Sequence, residues 1–97
     1  MAVKVIIERK VKEGKQYEMM NLMRELRTSA LFRKGYISGE TLHSRDDPSK
    51  YIVISNWQSV EDWEAWQKHP ERHEINKRCE PLLASPESYG VYLFVYP

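Results

Sequence analysis

Two apolar periodicities alternate along this chain, and their order limits its possible folds more than any other feature. Alternating β-branched and aromatic residues predict four strands, at residues 2–11, 36–44, 51–57 and 89–96. Apolar residues three and four apart predict a helix at residues 15–32. A capping pattern that begins at Ser59 predicts a short helix at residues 59–68, and Pro70, followed by Glu71 and Glu74, predicts another at residues 70–80. With the last two helices taken as one broken unit, the order is typical of an α+β, ferredoxin-like βαββαβ fold, an antiparallel four-stranded sheet with helices on one face.

Length and charge exclude several classes of protein. The 97 residues predict a single domain, residues 1–97, with a modest core. Fifteen basic and fourteen acidic residues leave a net charge of +1 and are interspersed, so we expect no nucleic-acid partner. No apolar run is long enough for a membrane span, and we expect no membrane partner. A single cysteine, Cys79, forms no internal disulfide, so the default expectation is a cytoplasmic protein.

The predicted strands are apolar on both faces. In the last strand Val91 and Leu93 alternate with Tyr92 and Phe94, and in the third strand Val53 and Trp57 lie opposite the isoleucines 52 and 54. One layer of helices covers one face only, whereas the uncovered face of a monomeric sheet is usually polar. We therefore predict a homodimer in which two sheets pack face to face.

Residues 56–79 hold all three tryptophans, two of the three histidines and the only cysteine. Trp63 and Trp66 lie three apart on a predicted helix, where they are either core residues or a flat wall for an aromatic ligand. His69 and His73 have a spacing that binds metal on an unbroken helix, but Pro70 interrupts it and no third ligand is evident, so we predict no metal site.

Residues 57–83, which include the motifs SVEDWEAW and HPERHEINKRCEPLL after the strand ISNW, resemble the antibiotic biosynthesis monooxygenase domain, a family of dimeric α+β barrels. The hairpin sequence KGYISGETLHS is also similar to that family, so the resemblance covers nearly the whole chain. It implies one of several activities. Some members oxidise anthrone- or quinol-like aromatics with dioxygen and without metal or bound flavin, others degrade heme, and others act in signal-molecule metabolism.

The heme-degrading branch of the family uses a tryptophan at the position of Trp66 and an axial histidine ten residues further on. Asn76 stands at that second position and is a poor iron ligand. That branch also carries an asparagine near the end of its first strand, where this chain has Ile7, Glu8 and Arg9. The resemblance therefore implies no bound cofactor and disfavours heme.

The resemblance and the chemistry of the side chains together give a set of candidate site residues. Trp66 would be the wall of the pocket, and His73 or His43 the base that deprotonates a phenol near neutral pH. The further candidates for contact with a small aromatic substrate are Tyr36, Asn56, Trp63, Asn76 and Tyr92. Three functions stay open: a cofactor-independent monooxygenase of a quinol- or anthrone-like substrate, a heme-binding or heme-degrading protein, and a non-catalytic dimeric module that binds a small ligand.

Overall fold

A computed structural model describes residues 1–96 of the chain and confirms the predicted α+β architecture. The helices are α1 (Gln16–Ala30), α2 (Val60–Gln67) and α3 (Pro70–Cys79), and a single 3₁₀ turn, Glu80–Leu82, follows α3. The strands are β1 (Val3–Lys10), β2 (Tyr36–His43), β3 (Lys50–Trp57) and β4 (Ser88–Leu93). They form one sheet in the order β2-β3-β1-β4, and all neighbouring strands are antiparallel.

The register of the central strand decides which side chains face the helices. Val3, Val5 and Ile7 of β1 are buried, and the residues between them are only half-buried, as period-2 alternation predicts. Val3 pairs with Trp57 of β3 and with Leu93 of β4, so these side chains share the helix-facing side of the sheet. The core therefore lies between this side and the helices.

Two of the three helices begin where the sequence provides a cap, whereas α1 begins after Lys15 without a side-chain cap. Ser59 caps α2, because its hydroxyl accepts a 3.2 Å hydrogen bond from the backbone N–H of Asp62. Pro70 occupies the first turn of α3, and the His69 ring accepts from the backbone N–H of Glu71 at 3.1 Å. Proline cannot continue a helix from the preceding turn, so residues 60–79 form two helices rather than one.

The last strand is shorter than predicted. β4 ends at Leu93, whereas the alternating pattern continues to Tyr96. Leu93 pairs with Val3, the first residue of β1, so no neighbouring strand among residues 1–96 remains for residues 94–96. Apolar alternation indicates which side chains of a segment share a face, but a strand also needs a neighbouring strand for its backbone hydrogen bonds.

The face of the sheet opposite the helices, here called the open face, is partly apolar. Ile6, Ile52 and Ile54 lie on it half-buried, and Leu42 and Tyr92 are exposed there. Lys4, Glu8 and Asn56 share the same face. Within residues 1–96, no helix has the length and apolar character that crossing a membrane requires.

Candidate functional site

A narrow cavity lies between the helices and the helix-facing side of the sheet, and we call it the inner cavity. Its free interior volume is about 50 Å³. All three helices and the first three strands contribute to its lining, which includes Arg9, Met23, Arg27, Tyr36, Glu40, Val53, Ser55, Trp57, Trp63, Trp66 and Arg72. Mainly apolar walls with a few convergent polar groups are typical of a small-molecule site, but the volume of about 50 Å³ is well below that of such sites. A ligand the size of an aromatic ring therefore requires the walls to move apart.

Three aromatic rings in edge-to-face contact form one wall of the inner cavity. The centroids of Tyr36 and Trp57 are 5.3 Å apart at an interplanar angle of 85°, and those of Trp57 and Trp63 are 5.9 Å apart at 62°. The Trp57 indole N–H donates to the Ser55 hydroxyl at 3.0 Å, which satisfies its buried polar atom. These contacts fix the rings, so the wall exists before any ligand binds.

Trp66 adds a second aromatic surface and is buried. The Arg33 guanidinium lies 5.5 Å from its ring centroid, and the His69 ring lies 5.8 Å away. Arg33 also donates to the Ser29 carbonyl oxygen at 3.2 Å and lies 2.7 Å from the His69 ring. Trp66 is thus held between the end of α1 and the start of α3.

A cluster of two buried arginines and one partly exposed glutamate lies beside the aromatic wall. The carboxylate of Glu87 lies 3.1 Å from a guanidinium nitrogen of Arg9 and 3.2 Å from one of Arg72. Arg9 and Arg72 are 2% and 7% exposed, and both line the inner cavity. Burial lowers the pKa of Arg72, the charge of Glu87 raises it, and the nearby charge of Arg9 lowers it further. The Arg72 guanidinium also lies 5.3 Å from the centroid of the Trp63 ring.

The predicted histidines do not line the inner cavity. His43 faces the helix side of β2, where its exposed ring stacks on Tyr51 at 4.4 Å and lies 2.7 Å from the Pro48 carbonyl oxygen. It lines a neighbouring depression that shares Thr41 with the inner cavity. His73 is an exposed residue of α3. Neither ring is therefore in position to take a proton from a ligand in the inner cavity in this conformation.

Three other predicted contact residues also lie elsewhere. Asn56 is on the open face, where its amide donates to the Ser38 hydroxyl at 3.1 Å. Tyr92 is also on the open face and is exposed. Asn76 lines a depression at the end of α3, and its buried amide oxygen has no hydrogen-bond partner among residues 1–96. Of the predicted site residues, only Tyr36, Trp63 and Trp66 meet in the inner cavity.

The charged cluster was missed in the sequence, although one signal for it was present. Val3, Val5 and Ile7 alternate inward along β1, and the same alternation continues to Arg9. An arginine at an inward position predicts a buried charge and hence a carboxylate partner. The identity of that partner, Glu87, depends on the fold, because it precedes β4 at the other end of the chain.

The inner cavity does not fit the heme ligation implied by the heme-degrading branch. No histidine is among the residues that line it, and Asn76, at the position of the axial ligand, lines a different depression. His69, the histidine in contact with Trp66, is engaged by Arg33 and by the N-terminus of α3. The residues present therefore do not supply the histidine ligand which that branch uses.

Comparison with known proteins gives relatives in sequence and in structure. SchA of Streptomyces halstedii is 23% identical over 86 residues; the match covers 89% of this chain and 23% of that protein, so the chain spans about a quarter of its length. Rv0793 from Mycobacterium tuberculosis superimposes with a TM-score of 0.90 at 15% identity, covering 100% of this chain and 98% of that one. SnoaB from Streptomyces nogalater, a cofactor-independent oxygenase, does so with a TM-score of 0.89 at 14% identity, covering 99% and 95%.

The two structural matches show a common fold at low sequence identity, and fold alone does not fix chemistry. A family model provides the evidence for membership, because it matches residues 2–78, most of the chain. That match includes β1, α1 and the hairpin as well as the tryptophan-bearing helix α2. This chain therefore belongs to the antibiotic biosynthesis monooxygenase family.

Proposed function

We propose that this protein is a monooxygenase that oxidises a small, electron-rich aromatic of quinol or anthrone type with dioxygen and without a metal or bound cofactor. The observation that carries the proposal is the inner cavity, where the rings of Tyr36, Trp63 and Trp66 meet and would enclose a flat ligand once the walls move apart. Family membership and the fold shared with SnoaB, a cofactor-independent oxygenase, agree with this reading.

The reaction requires little from the protein, because the substrate supplies all the electrons. For an anthrone, loss of a C–H proton leaves a carbanion, which transfers one electron to dioxygen. The two radicals combine into a C–O bond, and the resulting hydroperoxide loses water to give a carbonyl group. One oxygen atom enters the product and the other leaves as water. The protein holds the ring in a dry space, assists loss of the proton and stabilises the anion.

We assign roles by position. Trp63 and Trp66 would hold the ring by stacking, and the Tyr36 hydroxyl would donate to the developing oxyanion. His73 and His43 remain proposed bases only if side chains move on binding, because neither lines the inner cavity.

A non-catalytic module that binds a small apolar ligand is the second candidate. The mainly apolar lining of the inner cavity, without a histidine among its residues, favours it. Such a module would bind the same aromatic compounds but consume no oxygen.

We also propose that the protein acts as a homodimer whose open faces pack together. Ile6, Ile52 and Ile54 make this face apolar, and a single chain leaves it uncovered. Light scattering of the purified protein should give twice the chain mass, and Ile54→Lys should shift it towards the monomer. A monomeric wild type would exclude the dimer. A reducing location such as the cytoplasm fits the free, buried Cys79.

Dioxygen uptake tests the proposed activity. Metal-stripped protein should consume oxygen with at least one member of a panel of anthrones, quinols and catechols. Trp66→Ala should reduce uptake by at least about tenfold, because the variant loses the wall against which the ring stacks. Phe32→Ala removes an exposed aromatic ring on the surface and serves as the matched control. A folded wild type that consumes no oxygen with any compound, yet binds them, would favour the binding module.

A further inference from the structure

Two buried arginines share one carboxylate beside the inner cavity. Arg9 and Arg72 both line it, and both make ion pairs with Glu87. A carboxylate balances only one guanidinium, so the trio of Arg9, Arg72 and Glu87 carries one positive charge in excess. Buried charges are normally paired, because removing an ion from water is costly. An unbalanced cation at the wall of a cavity therefore favours an anionic ligand.

The other charged side chains at the inner cavity do not cancel this excess. Arg27 of α1 also lines it, whereas the Glu40 side chain lies on the open face, because Glu40 pairs with Ile54. Arg27 is exposed, so water and salt screen its charge, whereas the two buried guanidinium groups act through a medium of lower dielectric constant. The field inside the cavity is set mainly by the trio.

One donor of the trio also lacks an acceptor. The Nε of Arg9 is buried and makes no hydrogen bond to any atom of residues 1–96. The Arg9 side chain as a whole is 2% exposed, so bulk water does not satisfy this N–H. A buried donor without a partner is unfavourable, and a ligand oxygen in the cavity would relieve it.

We propose that Arg9, Arg72 and Glu87 make the inner cavity selective for aromatic ligands that carry an ionised hydroxyl group. The inference rests on the proposed function in taking this cavity as the substrate site. The aromatic wall would hold the ring, and the guanidinium N–H groups would hold the phenolate or enolate oxygen through charge-assisted hydrogen bonds.

This selectivity would also assist the chemistry. When the O–H bond of a bound hydroxyl breaks, the electron pair stays on the oxygen beside Arg72, and the proton passes to solvent. The nearby positive charge stabilises this anion and so lowers the pKa of the bound substrate. Substrate ionisation near neutral pH then needs no histidine in the cavity.

Spectrophotometric titration of 4-nitrophenol tests the proposal, because only the phenolate form absorbs strongly in the visible range. The bound probe should have a pKa about one unit below that of the free probe, equivalent to about tenfold tighter binding of the phenolate. Arg72→Gln should remove most of this preference. Glu87→Gln should enlarge it, because the substitution removes the balancing negative charge and keeps both arginines. Arg45→Gln, at an exposed arginine, should leave it unchanged.

The opposite signs of the two variants separate an electrostatic role from a structural one, since damage to the cavity would weaken binding in both. Near-ultraviolet circular dichroism checks their folding, and if Arg72→Gln fails to fold, the wild type and Glu87→Gln decide. Equal affinity for phenol and phenolate, no binding of 4-nitrophenol, or a reduced preference in Glu87→Gln would overturn the proposal. Phenolate preference without oxygen uptake would support the inference and refute the monooxygenase. Oxygen uptake without the preference would refute only the inference.

Discussion

Replacing Glu87 by glutamine tests whether the charged trio is a buried structural unit. The substitution keeps the side-chain shape and removes the one charge that balances Arg9 and Arg72. Loss of one partner of a buried ion pair costs about 3–5 kcal/mol, because the remaining charge has neither water nor a counter-ion. Glu87 is 19% exposed, and glutamine keeps one acceptor oxygen. We therefore expect a smaller loss, about 2–3 kcal/mol in the free energy of unfolding.

Glu25→Gln is the matched control, because Glu25 accepts two bonds from Arg78, at 2.7 and 3.1 Å, on the surface. Both side chains of that pair are about half exposed, and such pairs contribute about 0–1 kcal/mol. Urea denaturation at pH 7, followed by tryptophan fluorescence, gives both free energies. If Glu87→Gln costs no more than Glu25→Gln, the trio is not an electrostatic unit shielded from water, and the reasoning about its excess charge is wrong.

Three further predictions concern single side chains. Hydrogen bonds from the hydroxyl and backbone N–H of Ser49, together with Lys10, lower the pKa of Asp47 to about 2. The ionised Asp47 should therefore stabilise the fold fully above about pH 4 and lose this effect as the pH falls through 2. Carboxyl NMR titration should show this pKa rise in Ser49→Ala, and an unchanged value would refute the assignment. Burial raises the pKa of the Cys79 thiol, so it should react with a disulfide reagent only as fast as the protein opens; immediate reaction in the native state would contradict its burial. A Cβ at residue 39 would lie 2.6 Å from the Tyr36 hydroxyl, so Gly39→Ala should displace that ring and alter ligand affinity several-fold, and unchanged affinity would exclude contact between Tyr36 and the ligand.

The fold was predictable because its elements are encoded locally. Four local signals agree with one topology, and each depends on residues close in sequence. They are the apolar alternation of the strands, the apolar residues three and four apart in α1, the cap at Ser59 and the helix break at Pro70. The end of β4 depends instead on where β1 begins. That is a relation between distant segments, and the apolar pattern of the last strand does not contain it.

The candidate site was predictable only in part. The three-residue spacing of Trp63 and Trp66 brings both rings to the sheet, as expected for one helical face. Asn56 could have been excluded from the sequence, because it immediately precedes Trp57 and must point to the opposite face of β3. His43 lies on the helix-facing side of the sheet, but it is on the edge strand β2 and its ring remains exposed. Such exposure depends on tertiary packing.

Oxygen-isotope labelling tests the central claim most directly. Metal-stripped protein is incubated with ¹⁸O₂ and the anthrone or quinol that gives the fastest oxygen uptake, and the product and the water are analysed by mass spectrometry. The account predicts protein-dependent product that carries one labelled oxygen atom, with the second atom in water, and a loss of this product in Trp66→Ala. Product without label, label from both atoms, or the same yield without protein would contradict it.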